Sequence, residues 1–174
     1  ELIGADTALA DTEVIMLADD MLRSTGVTFD LHVGHLAPMK HILAELAPEE
    51  QRAIMAYLDK HDPEGLEAAL VEKNLTHLAE PLAALGECRD VAEVFEVAGD
   101  VPERARIEET FALLDSQEID YRPDFGIARG LDYYTGMVFE GFAQNLGAEN
   151  QILGGGTYRL AHLFGGDDVA SCGF

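Results

Sequence analysis

The chain has 174 residues, with 33 Asp and Glu against 11 Lys and Arg and a formal net charge of -22. That length builds one core, or a core with a small satellite domain, and 48% apolar with 25% charged residues excludes global disorder. No apolar run approaches the ~18 residues that cross a bilayer, no basic segment leading into an apolar stretch opens the chain, and Cys88 and Cys172 are too few for a disulfide scaffold or a Cys-based zinc site.

Glu1-Leu2-Ile3-Gly4 reads as an edge of something already folded, and the chain closes in the apolar run Ala170 to Phe174, which reads as a piece of a longer protein. From Asp11 to Thr25 the apolar residues Val14, Ile15, Leu17, Ala18, Met21 and Leu22 form a helical stripe, with Asp11 as cap and Gly26 as stop. Val27 to Val33 alternates with period two and predicts a strand; Pro38 to Leu46 predicts a second helix. Residues 47–117 are successive Ala-, Glu- and Leu-rich helical stretches broken by Pro48, Pro63, Pro81, Gly86 and the Gly99-Asp100-Val101-Pro102 turn, ending in an amphipathic helix from Pro102 to Gln117. Beyond residue 119 the helical rhythm stops. Ile119 to Ile127 reads as extended, Met137 to Phe142 as a strand and Gln151 to Leu153 as a short one, followed by three glycines and the apolar segment Tyr158 to Phe164. Strands flanking a helical block predict an antiparallel α+β sheet with a helical insertion, divided as 1–46, 47–118 and 119–174.

Charge limits partners. Affinity for nucleic acid comes largely from Lys and Arg neutralising phosphates, and three scattered Lys and eight Arg predict weak or no binding of nucleic acid or any other polyanion by this chain alone. The acid excess fits both a salt-adapted protein and an ordinary solubilising surface. Two lone cysteines fit a reducing, cytoplasmic location.

The densest chemistry lies in Ala128-Arg129-Gly130-Leu131-Asp132-Tyr133-Tyr134-Thr135-Gly136, followed by Val138-Phe139-Glu140. Arg presents a charged planar fork that fits carboxylate and phosphate, and Tyr offers a flat face with a hydroxyl at its rim. On a strand, adjacent tyrosines point to opposite sides, so one of the two faces a given pocket. The same residues also fit a tyrosine corner beside a surface ion pair. Gly154-Gly155-Gly156-Thr157-Tyr158-Arg159 is either a tight turn with positive φ or a cradle for an anion; it matches neither the phosphate-loop nor the dinucleotide fingerprint. His32, His35 and His41 lack a carboxylate or Cys at ligand spacing, so no metal is expected. Cys88, with no base nearby, reads as inert.

Taken together, Arg129 to Gly136 with Val138-Phe139-Glu140 resembles the signature of histidyl-tRNA synthetases. Glu1 to Ala5 with Ala10-Asp11-x-Glu13-Val14-Ile15 resembles the stretch just after the second class II motif in that family. Ile152 to Gly156 with Tyr158, Leu163 to Gly166 and Gly173-Phe174 resembles the approach to the third. The resemblance implies a class II aminoacyl-tRNA synthetase-like antiparallel sheet flanked by helices. It also implies an activity in which histidine and ATP, with Mg, form histidyl-adenylate for transfer to tRNA(His) by a homodimeric enzyme. Arg129 would bridge the substrate carboxylate and the α-phosphate. Tyr133, Tyr134 and Tyr158 would bind histidine, with Tyr134 on the imidazole, Glu1 would read the ring nitrogens, and Gly154, Gly155 and Gly156 would let main chain lie against the amino acid. The common family form has Arg and Asp around the tyrosine of the glycine motif; Thr157 and Arg159 stand there here, as in an archaeal-type variant. The first class II motif, the ATP-gripping Arg of the second, most of the third and the anticodon-binding domain are not in these residues, so the chain alone is expected to be inactive. A related reading is the synthetase-like regulatory subunit of ATP phosphoribosyltransferase, which often loses the arginine signature that Arg129 and Asp132 retain.

Overall fold

The computed structural model describes residues 1–60, 62–128, 133–144, 146–147 and 150–174. Among them, β1 (Leu2–Ile3) leads into α1 (Ala8–Ser24), β2 (Phe29–His35) and α2 (Leu36–Ile42). The helical block comes next as α3 (Pro48–Asp59), α4 (Pro63–Glu72), a 3-10 turn at Thr76–Leu78 running into α5 (Ala79–Glu87), then α6 (Val91–Ala98) and α7 (Arg104–Ser116). The chain returns through β3 (Arg122–Pro123), β4 (Tyr134–Ala143), β5 (Gln151–Tyr158) and β6 (Ser171–Gly173).

The strands form one sheet in the order β1-β6-β5-β4-β2-β3. Its centre is antiparallel: Val33 faces Phe139, and Phe139 faces Gly155. The antiparallel sheet expected is joined at one edge by a parallel strand, where β3 runs along β2 with His32 opposite Arg122. Parallel neighbours need a long crossover, and the helical block supplies it. The extended segment expected over 119–127 shrinks to two ladder residues. Pro123 has no N–H to give, and Asp124 N–H donates the last bond to the Val33 carbonyl at 2.8 Å.

Local signals explain most element ends. Thr7, not Asp11, caps α1, its hydroxyl accepting from Ala10 N–H at 3.2 Å. His35 caps α2 by accepting from Ala37 N–H through Nδ1 at 3.1 Å. Pro48 and Pro63 start helices, because a first-turn residue has no intrahelical N–H bond to lose. Pro81 and Gly86, expected to break the block, lie inside α5, the proline in its first turn.

One apolar cluster joins Ile15 of α1, Leu31 and Val33 of β2, Ile54, Leu70 and Leu85 of the helical block, Ile107 and Leu114 of α7, and Phe139 of β4. α1 and α7 pack side by side, and Leu22 of α1 lies against Gly141 of β4, so α1 covers the sheet face that carries Phe139, Gly141, Leu153 and Thr157. On the opposite face α3 and α5 contribute Leu58, Leu82 and Ala83 to a cleft of about 490 Å³ with His32, Asp124, Glu140 and Phe142. Farther along, at β5 and β6, that face stays open.

Candidate functional site

Where the face stays open, a cavity of about 380 Å³ is lined by Glu1, Tyr133, Tyr134, Gly154, Tyr158, Leu160, Gly173 and Phe174. Five of these are residues that the sequence assigned to an amino-acid pocket, drawn from both ends of the chain. β4–β5 pairing sets Tyr134 opposite Tyr158, and β5–β6 pairing sets Gly156 opposite Gly173. Glu1 reaches the same floor because its carboxylate occupies the space a side chain on Gly173 would fill.

The two adjacent tyrosines depart from expectation. Tyr133 precedes β4 and only Tyr134 belongs to the strand, so alternation does not separate them. Their ring centroids lie 4.6 Å apart, and Tyr133 meets Tyr158 edge-on at 5.7 Å, a favoured aromatic geometry. Tyr158 donates its hydroxyl to Glu1 Oε2. Burial, then the Glu1 carboxylate, pushes the Tyr158 phenol up to about 12, so at neutral pH it is a donor and Glu1 an acceptor. Lys40 Nζ lies 3.4 Å from the Tyr134 carbonyl and 3.3 Å from that of Thr135, fixing the entry into β4.

The glycine triplet is not a turn. All three residues lie within β5, and none has positive φ. A side chain on Gly155 would strike the Phe139 ring and approach the Gly173 carbonyl to 2.6 Å; one on Gly156 would come within 2.5 Å of the Met137 carbonyl and 2.8 Å of the Tyr134 ring. Gly154 lines the cavity; Gly155 and Gly156 are small because neighbours need the space. Arg129 and Asp132 lie outside the described residues.

Sequence reasoning missed what holds the pocket from behind. Asp11 is 1% exposed, and its Oδ1 accepts the Thr157 hydroxyl at 2.9 Å. Its Oδ2 accepts Arg106 Nε at 3.0 Å and Nη2 at 2.8 Å. Arg106 Nη1 continues to Asp6, which also accepts from Arg159 Nη2. Burial pushes the Asp11 carboxyl up, and Arg106 and Thr157 oppose it. Burial works against the Arg106 charge, but Asp6 and Asp11 hold the guanidinium above its ordinary value. Arg106 and Asp11 are 95 residues apart, and no local pattern marks that pairing; Asp11 simply looks like a helix cap.

The histidines do other work. His32 Nδ1 pairs with Asp124 Oδ2 at 2.9 Å, and His35 is buried as the α2 cap, its imidazole pushed down to about 3 by burial and then by Arg106 and Lys40. Among the described residues no group of three or more His, Cys, Asp or Glu is placed to hold a metal ion, and no helix is long and apolar enough to cross a membrane. Cys88 is buried, with Sγ 3.3 Å from the Ala84 carbonyl, and burial raises its thiol.

Comparison with known proteins gives the family. A family model described as histidyl-tRNA synthetase matches residues 1–174. A histidine–tRNA ligase from Methanoculleus marisnigri is 89% identical over all of this chain, and one from Methanoregula boonei is 66% identical. The chain spans 42% of the length of each. Among solved structures, a histidyl-tRNA synthetase from Nostoc matches 98% of the chain and 45% of its own, with a TM-score of 0.81 at 12% identity. An ATP phosphoribosyltransferase regulatory subunit/histidyl-tRNA synthetase from Bacillus halodurans matches 98% of the chain and 48% of its own, with a TM-score of 0.80 at 23% identity; both likenesses concern the fold. With its pocket residues gathered on the open face of a class II sheet and its whole length matched, the chain belongs to the histidyl-tRNA synthetase family.

Proposed function

We propose that this chain is the histidine-binding part of a histidine–tRNA ligase. In the reaction the histidine carboxylate attacks the α-phosphorus of ATP, pyrophosphate leaves, and the adenylate passes histidine to a ribose hydroxyl of the terminal adenosine of tRNA(His), with AMP as the leaving group. The observation that carries this reading is the convergence of Glu1, Tyr133, Tyr134, Gly154 and Tyr158 on one cavity. An imidazole N–H can donate to the Glu1 carboxylate while the ring packs among the three tyrosines. A pocket built around such an acceptor rejects amino acids without the matching donor.

Arg129 carries the chemical role in this reading. A fixed guanidinium addresses the charge that develops on the α-phosphoryl oxygens, and the signature surrounding Arg129 supports the assignment. ATP enters as substrate, and the described residues offer no cluster to hold Mg. The same reading makes 1–46 and 119–174 halves of one core, with 47–118 inserted between them; the pairing of β2 with β4 supports that division. It also places the protein in the cytoplasm, acting as a homodimer in its full-length form.

The test is histidine-dependent ATP–pyrophosphate exchange by a protein of full family length carrying these residues. Exchange is expected, and Arg129→Ala is expected to abolish it with the melting temperature unchanged. Full exchange by Arg129→Ala removes the catalytic assignment. A parent that charges no tRNA but stimulates an ATP phosphoribosyltransferase decides for a regulatory subunit.

A further inference from the structure

Thr157 and Arg159, the two residues at which this chain departs from the common family pattern, flank Tyr158 in the chain and bind one and the same network on the back of the sheet. Thr157 donates to Asp11, Asp11 accepts Arg106, Arg106 also donates to Asp6, and Asp6 accepts Arg159. The path therefore leaves β5 one residue before Tyr158 and returns one residue after it. Arg159 is held further by Asp168, whose carboxylate lies 3.4 Å from Nη1. Side chains alternate along a strand, so with Thr157 drawn to the back, Tyr158 points into the cavity, where its hydroxyl meets Glu1. The network's central cation, Arg106, comes from α7, the last helix of the helical block.

We propose that Arg106, Asp11 and Thr157 are positioning residues for histidine binding: they clamp β5 on both sides of Tyr158 and so fix the Tyr158–Glu1 pair that reads the substrate ring. This rests on the pocket assignment above. None of the three lines the cavity, and they act through Tyr158. A buried acceptor shared by a hydroxyl and two guanidinium N–H groups has one low-energy arrangement, because any rotation of Asp11 leaves a buried donor unmet. The strand that carries Thr157 inherits that rigidity, and its other face bears Tyr158. The Thr and Arg at 157 and 159 thus replace the common pair as a set, each with its own carboxylate partner.

The experiment uses the full-length protein and compares wild type, Thr157→Val, Thr157→Ser and Arg106→Lys. Thr157→Val keeps the shape and deletes the hydroxyl; Thr157→Ser restores it. Arg106→Lys keeps a charge but cannot span Asp11 and Asp6 with three nitrogens. Thr157→Val is expected to raise the histidine KM in pyrophosphate exchange about 10- to 100-fold, the scale of a small misplacement transmitted to a binding group, with the ATP KM and kcat near wild type. Thr157→Ser is expected to return the histidine KM to near the wild-type value. If Thr157→Val does not fold, Arg106→Lys carries the same expectation. A lowered melting temperature with unchanged histidine KM makes the network a brace only and overturns the proposal. Absence of exchange in the wild type defeats the ligase reading instead; calorimetric titration of histidine into the same variants then reads the positioning claim, and a wild type that binds no histidine overturns it.

Discussion

The two faces of β5 are built from the same eight residues and are used in opposite ways. On one face Gly154 and Tyr158 border a cavity, and the polar atoms there, the Glu1 carboxylate and the Tyr158 hydroxyl, sit at its wall. On the other, Leu153, Gly155 and Thr157 meet α1, the Phe139 ring and the buried Asp11–Arg106 pair without a gap. The closed face sets the position of the strand; the open face uses that position to hold a ligand. Substitutions behind the strand should therefore cost both stability and affinity, and substitutions in front of it should cost affinity with little loss of stability.

The largest effect is expected at Asp11. Asp11→Ala strands the Thr157 hydroxyl and two Arg106 N–H groups in a buried setting, and breaking such a pair costs about 3 kcal/mol, read by urea unfolding. A midpoint equal to wild type would mean that the back face is not closed. Gly155→Ala comes next. Its methyl must displace the Phe139 ring or the Gly173 carbonyl, an overpacking cost of about 1–3 kcal/mol; a stabilised Gly155→Ala would contradict the close approach.

His35 supplies a pH-dependent test on the closed face. Its folded value of about 3 lies below the ordinary 6.5, so between those values the unfolded chain binds the extra proton. The stability this gives the neutral buried ring is fully present above pH 6.5 and is lost as pH falls toward 3, at up to about 1.4 kcal/mol per pH unit. His35→Asn keeps a helix-capping acceptor and removes the titration, so the wild-type curve should fall more steeply than the variant's from pH 6 to 4. Parallel curves would place His35 in a solvated or charge-compensated site.

Much of this architecture is readable without coordinates. Apolar spacing in Val14 to Leu22 predicts α1, alternation in Val27 to Val33 predicts most of β2, and the Ala- and Leu-rich block is helical as expected. Such patterns are local, and the forces behind them act within a turn or a strand. What stays hidden depends on partners far along the chain. The triple glycine reads as a turn because composition cannot show a Phe139 ring and a Met137 carbonyl pressing on it from β4. Asp11 reads as a cap because Arg106 is 95 residues away. The tyrosine pair is misread for a local reason: β4 begins one residue later than strict alternation assumes. Glu1 and Tyr158 are legible only through family resemblance, since nothing in their neighbourhoods announces that they meet.

The division of labour across β5 can be tested with one substitution on the open face. Tyr158→Phe keeps the ring and removes the hydroxyl that Glu1 accepts. In a full-length protein, equilibrium titration with histidine should show affinity reduced by about 10- to 100-fold, the scale set by misplacing a binding group such as the Glu1 carboxylate, with at most a small change in melting temperature. Wild-type histidine affinity in Tyr158→Phe would show that this pair does not read the substrate.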